Sequence, residues 1–146
     1  MAITSAICNS FKQEILEAEH NFTATTGNTF NLALYTSSAT LSASTTAYAS
    51  TNEITNTSGT AYSAKGKALT SVTPTLDSST AVCDFADVSW TSASFTANGC
   101  LIFNDSHATD ASVCAVAFGG DKTVSSGTFT VQFPAAAATT AIIRIA

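Results

Sequence analysis

From Phe30 onward the apolar residues of this chain recur at every second position, and that period dictates β structure. Phe30, Leu32 and Leu34 alternate with Asn31, Ala33 and Tyr35, and near the other end Phe129, Val131 and Phe133 alternate with Thr128, Thr130 and Gln132. Successive strand side chains point to opposite faces, so each run offers one apolar face to a core. Serine and threonine fill about 30% of positions, and β-branched threonine suits a pleated surface.

Further strand regions are predicted at Val82–Trp90, Ser94–Asn104, Val113–Phe118 and Ala141–Ile145, with short edge strands near Glu53–Thr55 and Lys67–Val72. Val113–Phe118 is nearly all apolar, as expected of a central strand covered on both faces. Gly119-Gly120-Asp121-Lys122 is expected to form a turn between two strands. Thr36–Gly66 is long and weakly patterned, and reads as an extended loop with a function or a partner.

Before Phe30 the period is helical. Thr4 or Ser5 can cap a helix on which Ile7, Phe11, Ile15, Ala18 and Phe22 form one stripe, with Lys12, Gln13, Glu17 and His20 turned away. The helix is expected to span about residues 4–20, ended by the Asn21–Asn28 stretch with Gly27. Its face of Ile7, Phe11 and Ile15 either packs on its own domain or docks on a partner. With 146 residues, the chain is expected to be one domain over 1–146: an antiparallel β-sandwich from about residue 28, preceded by that helix.

Charge excludes some functions. Only 10% of residues are charged and the net charge is −5, against about 25% charged in ordinary soluble domains. Five scattered basic residues do not make a phosphate-binding surface, so nucleic acid is not an expected partner. No stretch approaches the ~20 apolar residues of a membrane span. The first residues lack the basic and apolar regions of a signal peptide, so Cys8, Cys83, Cys100 and Cys114 are expected to be reduced, buried thiols. None lies in a C-x-x-C pair.

Residues placed for catalytic or ligating chemistry are few. Asp84 and Asp87, three apart on a strand, face opposite ways and cannot jointly flank a bond; capping of turns or strand ends is the better reading. Asp105, His107 and Asp110 lie in one loop, where oxygen and imidazole can hold a metal, yet Asn-Asp-Ser-His is also ordinary loop chemistry. Gly66-Lys67 lacks the spacing and hydroxyl of a phosphate loop. Glycosylation triplets start at Asn21, Asn56 and Asn104, matches that abundant Ser and Thr make cheap. No catalytic, cofactor or metal residues are assigned, and an enzyme is not expected.

Several blocks resemble a family of small structural proteins of tailed bacteriophages. They are Asn28–Thr36, Ala39–Leu41, Thr45–Tyr48, Asn52–Ile54, Asp84–Trp90, Asn98–Asn104, Gly119–Lys122, Phe129–Pro134 and Ala141–Ile145. The resemblance covers nearly the whole chain. It implies a virion protein made in the host cytoplasm, of head cement or decoration type. Its expected partners are the major capsid protein and further copies of itself, as a dimer or trimer. It implies no active-site residues. The alternative is a glycan-binding or adaptor module of a tail or head fibre.

Overall fold

Two long strands organise the molecule. In the computed structural model, which describes residues 2–55 and 61–146, β6 (Val88–Asn104) and β7 (Ser112–Val131) pair antiparallel along almost their whole length. Around them lie β1 (Ala6–Ile7), α1 (Asn9–Leu16), β2 (Phe30–Tyr35), β3 (Lys67–Ala68), β4 (Ser71–Asp77), β5 (Thr80–Phe85) and β8 (Ile143–Ile145). They form two antiparallel sheets, ordered β1-β7-β6-β2-β3 and β4-β5-β8. The chain is thus mainly β and sandwich-like, with one short helix.

Gly119-Gly120 does not separate two strands. Asn98 on β6 faces the four residues Phe118–Asp121 on β7, between the pairs Ala97–Lys122 and Gly99–Ala117. This is a large bulge inside one strand, where φ is 76° at Gly119 and 139° at Gly120. Glycine enters such conformations at little cost. The ladder resumes on the same partner, so the expected turn is a bend. Its size shows in the rings of Phe118 and Phe129, whose centroids are 6.2 Å apart, although eleven residues of straight strand span about 36 Å. The β7 strand folds back over itself within the five-stranded sheet.

The five-stranded sheet is covered on both faces. Leu32, Leu34, Cys100 and Ile102 enter the main core with Phe11, Phe85, Trp90 and Ile143. Ala33, Tyr35, Leu101 and Phe103 enter a second cluster with Ile3, Ala39 and Leu41. The described part of the Thr36–Gly66 loop supplies much of this second cover. Tyr48 stacks on Phe103 at 4.8 Å, and Glu53, which bridges to Tyr35, accepts hydrogen bonds from Tyr48 and Tyr62, both 2.6 Å. Asn56 and the adjoining residues to position 60 lie outside the described residues.

The helix is shorter than its apolar stripe. It covers Asn9–Leu16, with Cys8 at the N-cap and no side-chain cap. Thr4 and Ser5 lie outside it, and Ile7 belongs to β1, pairing with Cys114. The reason is tertiary: Ala6 and Ile7 extend to satisfy the edge of β7, so the helix starts only after them. It stops at Ala18, where φ is 61°. Ala18 N–H bonds to Ile15 O, and Glu19 N–H to Glu14 O at 3.0 Å, the pairing of a Schellman cap.

Candidate functional site

The helix has almost no local support. It lacks acidic residues in its first turn and basic residues in its last, and eight residues are too few to persist alone in water. Phe11 holds it. The ring is 4% exposed and packs on His20 and Phe22, at centroid distances of 5.0 and 5.9 Å.

Beside Phe11 a groove of about 420 Å³ runs between α1 and the three-stranded sheet. Ile15 and Ala18 form one wall, and Pro74, Ala81, Ile143 and Ile145 contribute to the other. Register explains why it stays open. Cys83 pairs with Ile143, and this row lies in the main core. The next row on the same face is Leu76, Ala81 and Ile145, and it runs past the core's end. Leu76 is 72% exposed and Ile145 57%. Leu16, at the end of α1, is 88% exposed, and Val72 on β4 is 45% exposed. Among the described residues these are the exposed large hydrophobic side chains, and all belong to α1, β4 or β8.

The face expected from the sequence is therefore divided. Ile7 is half-buried on β1, Phe11 is buried in the core, and Ile15 is half-buried on the groove wall. A helix confined to Asn9–Leu16 cannot carry Ile7 in the same stripe. Leu16, Leu76 and Ile145 escaped sequence reasoning. Leu16 falls beside Ile15 and off the stripe, while the exposure of Leu76 and Ile145 depends on where the core ends.

His20, expected to turn away from the apolar stripe, has a fully buried side chain. Because the helix has already ended, its phase does not reach residue 20. His20 Nε2 lies 2.6 Å from Glu14 Oε2. Asn104 Nδ2 lies 3.1 Å from His20 Nδ1, and Asn104 Oδ1 accepts the Ser106 N–H. This places an Nε2–H donor toward Glu14 and a lone pair toward Asn104. His107 stacks on His20 at 6.1 Å and meets Glu19 through its own Nε2. The result is a polar clasp that pins the segment after α1 to the β6–β7 loop.

The remaining candidates have structural partners. Lys65 Nζ sits 2.9 Å from both Asp105 and Asp110, and the Asp110 and Asp105 carboxylates hold its pKa above the usual lysine range. No three His, Cys, Asp or Glu residues among the described ones converge as metal ligands. Asp84 accepts the Phe85 N–H and Asp87 the Phe133 N–H, so both cap backbone groups. All four cysteines are free and buried. Burial first, and Asp84 second, push the Cys83 thiol up to about 12; burial pushes Cys100 to about 12 as well. Such thiols are poor nucleophiles. Comparison with known protein families, curated proteins and solved structures finds no match in any of the three.

Proposed function

We propose that this chain is a non-enzymatic structural protein of a tailed-phage particle, a cement or decoration protein that binds the assembled capsid shell and associates with copies of itself. The observation that carries the contact role is the exposed apolar row of Leu76 and Ile145 flanking Ala81, with Leu16 exposed at the end of α1; Ala81 and Ile145 line the α1 groove. Clustered exposed hydrophobics mark binding surfaces. The phage assignment rests on the sequence blocks that resemble that family. Low surface charge supports the reading, because a protein repeated over a lattice must lie against like copies without repulsion. A shell-binding protein stabilises the assembled form by mass action. A glycan-binding role would want aromatic faces at the surface, whereas Trp90, Tyr35 and Tyr62 are buried.

The test has two parts. Electron microscopy of purified particles should place the chain on the outside of the head. The double variant Leu16→Asp/Ile145→Asp, with both side chains exposed, should keep its melting temperature within the usual surface-mutation range. It should bind shells of the same phage at least about tenfold more weakly, given the apolar burial lost. Unchanged shell binding would remove the docking face, and absence of the chain from purified particles would remove the virion role.

A further inference from the structure

Where β7 folds back over itself, it leaves a second and larger groove, of about 580 Å³. Its walls include Val116, Phe118, Phe129, Val131, Phe133 and Ile142, all half-buried. This volume lies within the range of small-ligand sites, which combine apolar walls with a few polar groups. One charged side chain lines it, that of Lys122.

Lys122 differs from the other four basic residues. Lys12 donates to Asn9 Oδ1, Lys67 to the Ser89 carbonyl and Arg144 to the Ala138 carbonyl. Lys65 lies between two carboxylates. Lys122 has no hydrogen bond or ion pair among the described residues, in a chain of net charge −5. An unpaired cation at the side of an apolar groove is complementary to an anion carrying a hydrocarbon tail. A protein strand is the competing occupant, since β1 covers β7 only at Cys114 and Ala115. The bulge at Phe118–Asp121 and the lysine beside it interrupt that edge, and both features discourage strand addition.

We infer that this groove binds a single-chain aliphatic carboxylate, its tail against Phe118, Phe129 and Phe133 and its head group on Lys122. The inference is independent of the virion reading. The experiment is calorimetric titration of the full chain with octanoate, decanoate and dodecanoate below their micellar concentrations at low salt. One saturable site is expected, tightening about tenfold for each two methylenes buried. Lys122→Gln should weaken dodecanoate about threefold, a difference that added salt erases, while leaving dodecyl maltoside unchanged. Val131→Trp, which fills the groove from a half-buried position, should abolish binding with the melting temperature retained. Absence of binding, affinity independent of tail length, or an unaltered Lys122→Gln variant would each overturn the inference. Failure of all three carboxylates, together with loss of shell binding in Val131→Trp, would give the groove to a protein strand instead.

Discussion

Ala18 shows how one residue can carry strain that sequence periodicity hides. It reads as the fourth member of an apolar stripe, yet it occupies the left-handed position of the helix cap, with φ 61°. An L-residue with a Cβ is disfavoured there, and glycine is the usual occupant. Ala18→Gly should therefore stabilise the protein by about 0.5–1 kcal/mol, after allowance for the added freedom of the unfolded chain. Urea denaturation measures this; a destabilised variant would mean that the Ala18 methyl matters more to the groove wall than the strain does. Gly66 is the opposite case. Its φ is 68°, and an added Cβ would stand 1.8 Å from the Leu32 carbonyl oxygen, so no side chain fits. Lys65 beside it also has positive φ, 69°, and is held by its two aspartate partners.

Among the elements, α1 depends most on tertiary contact. Its short length and missing N-terminal side-chain cap leave Phe11 as the anchor, so Phe11→Ala should cost about 3–5 kcal/mol. Chemical denaturation of the free protein checks this. A cost below about 1 kcal/mol would mean that the ring is not part of the monomer core. The β6–β7 ribbon is the contrasting element, specified by its own alternation and by a double-glycine bulge. Sequence reading divided it at Gly119-Gly120 because glycine pairs signal turns far more often than bulges. Only pairing of both halves with β6 distinguishes the two, and that pairing is long-range.

At the scale of the whole molecule, the buried thiols tie stability to pH. An unfolded cysteine has pKa 9.0, whereas Cys83 and Cys100 in the fold are raised to about 12. Between those values the unfolded chain binds fewer protons than the native one, so stability falls as pH rises. Stability should be insensitive to these groups below about pH 9 and decline above it, at up to about 1.4 kcal/mol per pH unit for each thiol. Melting temperatures recorded from pH 8 to 11 test the slope, and Cys83→Ala with Cys100→Ala should reduce it, leaving the part due to Cys114 and Cys8, whose thiols burial also raises. A slope unchanged in the double variant would assign the effect to other groups.

The class of fold was legible in the residues alone. Period-two apolar runs with abundant threonine require sheets, and four cysteines without metal spacing end in the core. These are local or compositional properties, and strand alternation survives any arrangement of the strands. Tertiary structure decided what depends on which surfaces meet. It turned the weakly patterned Thr36–Thr55 stretch into a cover for the second face of the sheet, because Leu101 and Phe103 there need burial. It drew Ile7 into β1 and His20 into the core, ending a helix whose stripe ran on in the sequence. It also set the register that carries Leu76 and Ile145 past the end of the core, so their exposure depends on where a neighbouring layer stops, which no periodicity in the chain encodes.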